Sequence, residues 1–177
     1  MSSLSDTVLS VIYKRKSVRS FKNGRKEIPK ETLEAIIKTA FAAPSAMNLQ
    51  PWHFIVITNH SILNTLGDAL PYAKMLYKAS AAVIVCADTK VSEFAWELDC
   101  SAASQNILLS VEAFGLGAVW TALYPHEERA LFVKNLFHLP ENITPLNVIP
   151  IGYPDGTEQP KDKYIAQKVH VNAWQSV

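Results

Sequence analysis

The sequence has few of the residues on which disulfide-stapled and metal-dependent domains rely. Its two cysteines, Cys86 and Cys100, form neither a zinc-site spacing nor a disulfide framework. Its five histidines show no metal-ligand spacing and no adjacent nucleophile. We therefore expect no metal site and no catalytic triad. Free thiols are typical of a reducing compartment, so we expect a cytoplasmic protein.

The sequence also lacks a charge excess and a long apolar run. Its formal net charge is +1, which argues against a general binder of nucleic acids or membrane surfaces. No apolar run approaches the ~20 residues that span a bilayer, and no signal peptide is visible at the start. With 177 residues, 49% of them hydrophobic, we expect one domain over residues 1–177, with no nucleic-acid or membrane partner.

Apolar periodicity predicts helices that alternate irregularly with short strands. Helices are predicted from Leu4 towards the basic run, between Pro29 and Pro44, and over residues 61–70, 93–114 and 126–137. Strands are predicted over residues 52–58, 81–87, 118–122 and 146–151, and residues 54–57 of the first look buried on both faces. A sheet covered by helices on both sides belongs to the α/β or α+β class.

A basic run near the start, residues 14–21, is the first candidate binding feature. If it is extended, Arg15, Ser17 and Arg19 share one face, because side chains alternate with period two. Two guanidinium groups flanking a hydroxyl suit a phosphate. The alternative is a solvated helix end, where basic residues are common. Because the protein is nearly neutral overall, the run favours a small anionic ligand over a polymer.

A turn over residues 44–51 is the second candidate. Asn48 and Gln50 carry amides that both donate and accept hydrogen bonds, as a uracil-like edge requires. The flavin pyrimidine has such an edge. The alternative is an ordinary turn, since Asn and Pro are common turn residues.

The segment from Gly115 to Trp120 carries two glycines, but it does not fit a dinucleotide fingerprint. It lacks the third glycine, and it follows a helix and precedes a strand, which is the reverse of the required order. A helix C-cap followed by a core strand explains the glycines. Trp120 could still lie along a planar ligand. Far along the chain, Lys161 and Lys163 would share one side of an extended tail, either towards the phosphate site or exposed to solvent.

Taken in order, these segments resemble the FMN-dependent nitroreductase family. The similar pieces are residues 15–19, 43–54, 99–109, 115–120 and 149–154 with the lysines that follow, so the resemblance extends from about Val8 to Tyr164. It implies an α+β fold with a nitroreductase-like central mixed sheet flanked by helices, working as an intertwined homodimer with FMN at the interface.

The resemblance also implies which residues bind FMN. Arg15, Ser17 and Arg19 would hold the phosphate and ribityl end, with Lys16 contributing backbone or charge and Lys163, with Lys161, completing the cage. Asn48 would contact the flavin ring, and Pro44 and Ser45 would approach the flavin of the other protomer. Val119 and Trp120 would lie beside the isoalloxazine. No side chain is assigned a catalytic role, because the flavin would carry the chemistry.

The implied reaction is ping-pong hydride transfer from NADH or NADPH, through FMN, to a small electron acceptor such as a nitroaromatic or quinone. Two alternatives stay open: a specialised flavin reaction, such as reductive dehalogenation or flavin fragmentation, and a non-catalytic flavin-binding protein. The chain departs from the family in two respects. Lysine stands at 163, where arginine is frequent, and the chain is shorter than many members, so a helix that shapes the substrate pocket is expected to be absent.

Overall fold

A computed structural model describes residues 3–175. The helices are α1 (Leu4–Lys14), α2 (Lys30–Ala40), α3 (His60–Ala69), α4 (Trp96–Ala113) and α5 (Glu127–Leu136). The strands are β1 (Trp52–Ile57), β2 (Ala81–Asp88), β3 (Gly117–Ala118), β4 (Thr121–Ala122) and β5 (Ile143–Gly152). Short 3-10 helices cover Ala46–Asn48, Lys74–Tyr77 and Ala166–Lys168. None of the helices in this range is long and apolar enough to cross a membrane.

The strands form one sheet in the order β1-β2-β5-β3, with β4 also paired to β5. Every pairing between these strands is antiparallel. Parallel pairing occurs at an isolated bridge between Ser17 and Ala118. The expected α+β class is therefore confirmed, and the mixed character of the sheet is confined to that bridge, where the basic run joins the sheet.

Helices cover both faces of the sheet. On β2, Val83 and Val85 face a core that includes α2 and α4, whereas Ile84 and Cys86 face the core formed with α3 and α5. This division follows from the two-residue period of a strand. Strand β2 is buried along almost its whole length because both of its edges are paired and both of its faces are covered.

Strand β1 corrects one prediction. Its central residues were expected to be buried on both faces, but Val56 is 43% exposed and Phe54 and Ile55 are half-buried. The cause is topology: β1 lies at the edge of the sheet, beside β2 alone. An apolar run reports hydrophobic character and carries no information about strand order.

The predicted third strand is two strands in the structure. Ala118 pairs with Ile151 and Thr121 pairs with Val148, so the intervening residues lie opposite 149–150. Pro150 has no amide hydrogen to donate to a ladder, which explains the break. Val119 and Trp120 therefore lie in a connection between β3 and β4.

Helix α1 begins at Leu4, as predicted, and a capping box stabilises its first turn. The Ser3 hydroxyl accepts from the Asp6 amide at 3.1 Å, and the Asp6 carboxylate accepts from the Ser3 amide at 3.0 Å. The hydrogen bond from the Ser3 side chain lowers the pKa of Asp6. Despite this defined start, α1 buries none of its residues in the single chain.

Candidate functional site

A cavity of about 400 Å³ gathers basic residues from the two ends of the chain. The basic run supplies one wall and the tail supplies the other. The lining residues are Arg15, Lys16, Ser17, Arg19, Glu158, Gln159, Lys161 and Lys163. We call this cavity the anion pocket. Every predicted phosphate contact, from both ends of the chain, thus lies around one space.

The basic run reaches this position because it leaves α1 and joins the sheet. The Val18 amide donates to the Ala118 carbonyl at 2.8 Å, and Val18 is buried. A Cβ atom placed on Gly117 would lie 2.7 Å from Val18 Cγ1, so any other residue at 117 would clash with Val18. The odd-numbered residues on either side of Val18, Ser17 and Arg19, are left to line the pocket. Gly117 is therefore a packing requirement, whereas the sequence suggested only a helix cap.

Four cations of the pocket are available to an anion. Two ion pairs occur within residues 3–175: Lys16 with Glu112 at 3.3 Å, and Lys30 with Glu34 at 3.8 Å. The other cations of the pocket belong to neither pair. They are Arg15, Arg19, Lys161 and Lys163. Unpaired cations in one small cavity, beside a serine hydroxyl, suit a phosphate group, which accepts several charge-assisted hydrogen bonds.

Lys16 differs from its neighbours in the run. Its ammonium donates to both oxygens of Glu112, at 3.3 and 3.4 Å, and both side chains are largely shielded from solvent. Its positive charge is therefore balanced by α4, although it lines the same pocket. Sequence analysis did not single out Glu112, because the two residues are 96 positions apart.

The bridge between Ser17 and Ala118 brings the connection between β3 and β4 next to the anion pocket. Val119 is buried, whereas Trp120 is half-buried. Trp120 packs at the margin of the core that includes α2 and α4. Along the chain, Trp120 is two residues beyond Ala118, the bridge partner of Ser17.

The turn over residues 44–51 lies apart from the anion pocket in this single chain. None of the residues that line the pocket belongs to it. Pro44 and Asn48 are exposed, and Ser45 is half-buried. The predicted contacts of Pro44, Ser45 and Asn48 with a flavin therefore need a ligand that extends beyond the pocket, or a second protomer.

This turn is held in an uncommon backbone conformation. Met47, Asn48 and Gln50 have positive φ angles of 51°, 57° and 51°. Such conformations are costly without glycine, and they persist where the surroundings fix them. The Ser45 hydroxyl accepts from the Gln50 amide at 3.0 Å, and the Asn48 side-chain oxygen accepts from the Gln50 side-chain nitrogen at 2.9 Å.

A buried carboxylate anchors the turn to α4. Asp99 is 4% exposed, and one of its oxygens accepts from the Ala46 amide at 2.9 Å. Its other oxygen accepts from the Ser92 hydroxyl at 3.4 Å. Asp99 belongs to the segment 99–109 noted in the sequence, but only its contact with a turn 53 positions away reveals its role.

Neither thiol can act in this site. Burial raises the pKa of Cys86 to about 12, and burial, followed by the nearby Cys86, raises the pKa of Cys100 to about 12. Both are therefore neutral near pH 7, and neutral thiols are poor nucleophiles. Among residues 3–175, no cluster of histidine, cysteine and carboxylate side chains could hold a metal ion.

Comparisons with known proteins agree with this architecture. The Nitroreductase family model matches residues 12–78 and 70–153. A Methanothermobacter thermautotrophicus protein, provisionally named NADH dehydrogenase/NAD(P)H nitroreductase, is 40% identical over 94% of this chain and 87% of its own length.

Solved structures extend the similarity to three dimensions. A Bacteroides thetaiotaomicron protein with the same provisional name is 48% identical, has a TM-score of 0.91, and covers 98% of this chain and 100% of its own. An FMN-dependent nitroreductase from Clostridium difficile is 27% identical, has a TM-score of 0.87, and covers 94% of this chain and 99% of its own.

Proposed function

Since the chain belongs to the nitroreductase family, we propose that it is an FMN-dependent oxidoreductase that takes hydride from NADH or NADPH and reduces a small electrophile, such as a nitroaromatic or a quinone. One observation carries the assignment of the site: the anion pocket unites Arg15, Arg19, Lys161 and Lys163 around one cavity, with no ion pair among the described residues to neutralise them.

The residues of the pocket fit the phosphate of FMN. The guanidinium groups of Arg15 and Arg19 can each offer two parallel N–H donors to phosphate oxygens. The Ser17 hydroxyl can add a donor between them, and the ammonium groups of Lys161 and Lys163 close the cavity from the tail. The phosphate dianion would then face an excess of positive charge, which explains why a nearly neutral chain concentrates cations here.

The remaining predicted contacts suit the other end of the cofactor. FMN, when bound, supplies hydride acceptance and donation, so the chain needs to bind and orient it. Trp120 and Val119 follow directly after the strand that seats the basic run, and they would flank the ring system. Asn48 carries the donor and acceptor pair that a pyrimidine edge requires.

We also propose that the working form is an intertwined homodimer. Helix α1 has exposed apolar residues and no buried ones. The tail beyond residue 163 is also exposed and rich in apolar side chains. The exposed apolar residues of these two segments are Leu4, Val8, Leu9, Ile12, Tyr13, Tyr164, Ile165, Val169, Val171 and Trp174. So much apolar surface favours association, and a second copy could bring Pro44 and Ser45 to the flavin.

A visible absorption spectrum of the purified protein, before and after FMN titration, tests cofactor binding. Saturable flavin absorption is expected, and a preparation that still binds no FMN would refute the proposal. Anaerobic addition of NADH, and separately NADPH, should bleach the bound flavin. Bound FMN that neither nicotinamide reduces would favour the non-catalytic flavin-binding protein.

A steady-state survey of acceptors then separates the two enzymatic alternatives. Nitroaromatics and quinones should be reduced, whereas preferential turnover of halogenated phenols would favour a specialised reductive dehalogenase. Light scattering during size-exclusion chromatography tests the oligomer. A monomer that retains FMN would contradict the proposed roles of Pro44 and Ser45.

A further inference from the structure

The anion pocket contains a carboxylate, which is unexpected in a site for phosphate. One oxygen of Glu158 accepts from the Arg19 amide at 2.6 Å and from the Ser20 amide at 2.9 Å. The other oxygen lies 3.2 Å from the Thr157 hydroxyl, whose single hydrogen it shares with the Asp155 carboxylate at 3.0 Å. Glu158 is half-buried, in a tail whose other residues beyond Pro154 are almost all exposed.

In chain order, the bonds of Glu158 are the last that attach the tail to the basic run and the residues that follow it. Earlier in the tail, the Lys22 amide donates to the Tyr153 carbonyl at 2.9 Å, and the Asp155 amide donates to the Ser20 carbonyl at 3.1 Å. Beyond Glu158, within the described range, the hydrogen bonds of residues 159–175 stay inside that segment. Glu158 is therefore the final tether before Lys161 and Lys163.

The tether engages backbone amides and leaves the cations unpaired. Glu158 takes part in neither of the ion pairs found within residues 3–175. One of its oxygens accepts from two amides, and the other shares the Thr157 hydroxyl with Asp155. A carboxylate in this position can fix the tail without neutralising Arg15 or Arg19, whose guanidinium groups stay available to a ligand.

We propose that Glu158 is a positioning residue for the phosphate end of the cofactor: by clamping the amides of Arg19 and Ser20, it holds Lys161 and Lys163 over the anion pocket. This proposal rests on the assignment of the pocket to FMN. It gives a role to an acidic residue whose negative charge would repel the phosphate.

Charge alone predicts the opposite effect. If Glu158 only lined the pocket, removing its negative charge would strengthen the attraction between the pocket and a phosphate. If Glu158 is the tether, Glu158→Ala releases the tail and weakens phosphate binding despite the gain in net positive charge. The sign of the change in affinity therefore separates the two explanations.

The test compares FMN with riboflavin, which lacks the phosphate, by fluorescence titration of ligand-free protein. Glu158→Ala should weaken FMN binding about tenfold, the scale of lost charge-assisted hydrogen bonds, and change riboflavin binding less than about twofold. Asp162→Ala removes the same negative charge from an exposed tail residue outside the lining of the pocket, so it is the matched control and should weaken binding of neither flavin. Glu158→Gln keeps an acceptor oxygen and should recover part of the FMN affinity.

Two results would overturn the proposal: tighter FMN binding by Glu158→Ala, or an equal loss of FMN and riboflavin affinity, which would indicate a merely structural role. A third comparison uses Lys161→Ala/Lys163→Ala as background. There, Glu158→Ala should change FMN affinity less than about twofold, because the tether then has no lysines to position. A tenfold loss of FMN affinity that persists in this background would contradict the proposal that Glu158 acts through the two lysines.

Hydrogen exchange of the ligand-free protein keeps this proposal distinguishable from the proposed function. The amides of Arg19 and Ser20 should exchange faster in Glu158→Ala than in the wild type, whether or not flavin binds. Unchanged exchange would refute the tether itself. Wild-type protein that binds no flavin would instead refute the assignment of the pocket to FMN and, with it, the role of Glu158 in phosphate binding.

Discussion

The Lys16 ammonium lies 3.3 Å from the Glu112 carboxylate, although 96 positions separate the two residues in sequence. The bond joins the basic run to the long helix α4. Three residues further along the run, Arg19 belongs to neither ion pair of the described residues. Two cations of one short motif therefore have different tasks: Lys16 stabilises the fold, and Arg19 is available to a ligand.

Arg19→Ala should weaken FMN binding by about 1.5–3 kcal/mol, the range for a hydrogen bond to a charged group. Arg19 is exposed and its guanidinium group packs into no core, so the folded state should keep its stability within about 0.5 kcal/mol. Fluorescence titration with FMN and denaturant unfolding of the ligand-free protein measure the two quantities. Unchanged affinity would remove Arg19 from the phosphate site.

Lys16→Ala should show the reverse pattern. It leaves the Glu112 carboxylate, whose side chain is 16% exposed, without its partner, so the free energy of unfolding should fall by about 1–3 kcal/mol. FMN affinity should change less than in Arg19→Ala. The double variant Lys16→Ala/Glu112→Ala is the control, because removing both charges should restore part of the stability. Equal stability of Lys16→Ala and the wild type would contradict this role of the ion pair.

Gly117→Ala should destabilise the protein by about 1–3 kcal/mol, because the added Cβ would lie 2.7–3.0 Å from the side-chain carbons of Val18. The clash would also displace the basic run, so FMN binding should weaken. Thermal unfolding and FMN titration measure both effects. In a Val18→Gly background all three of the contacting carbons are absent, so the cost of Gly117→Ala should fall; a cost that is unchanged there would exclude the clash as its cause.

Asp99→Ala should lower the free energy of unfolding by about 1–3 kcal/mol, since it leaves the Ala46 amide without its acceptor and the turn over residues 44–51 without its anchor. If Asn48 contacts the flavin, FMN affinity should fall as well. Asp99→Asn keeps an acceptor oxygen and is the conservative control, with a smaller loss. Chemical denaturation and flavin titration of the wild type, Asp99→Ala and Asp99→Asn measure stability and FMN affinity. Wild-type stability of Asp99→Ala would refute the role of Asp99 as an anchor.

The buried thiols should make the protein less stable in alkali. Burial raises the pKa of Cys86 and of Cys100 to about 12 in the folded state, whereas an unfolded thiol ionises near pH 9. Above that pH the unfolded chain loses thiol protons that the folded chain keeps, so stability is complete below pH 9 and declines as pH rises towards 12. Between pH 9 and 12, each thiol lowers the free energy of unfolding by up to about 1.4 kcal/mol per pH unit.

Urea denaturation of the wild type and of Cys86→Ala, at pH steps from 8 to 11, measures this effect. The variant should lose less stability per pH unit, whatever its absolute stability at pH 8. Parallel pH profiles of the two proteins would show that Cys86 does not resist ionisation in the fold.

The sequence was sufficient for the elements whose signals are local. The start of α1 at Leu4 and the apolar periodicity of α2 are set by neighbours along the chain, and both are present in the structure. The burial of β1 was predicted wrongly, because it depends on the order of strands in the sheet. The split of the third strand depends on Pro150, which lies across the ladder from the break.

The same distinction applies to the site. Alternation along an extended segment predicted that Arg15, Ser17 and Arg19 share one side, and these residues line one pocket. The carboxylates that organise the site could not be found in this way. Glu112, Asp99 and Glu158 each act on a partner 53 to 139 positions away, and nothing in their local sequence marks them. Long-range hydrogen bonds, rather than the composition of either segment, give these residues their roles.

The division of the anion pocket between the start of the chain and the tail has a consequence for biosynthesis. Residues 15–19 are translated long before Lys161 and Lys163, so a growing polypeptide has one wall of the pocket and lacks the other. A phosphate ligand gripped by both walls can select only the chain whose tail has already docked. Cofactor loading would then follow folding, and it would stabilise the finished fold without assisting its early stages.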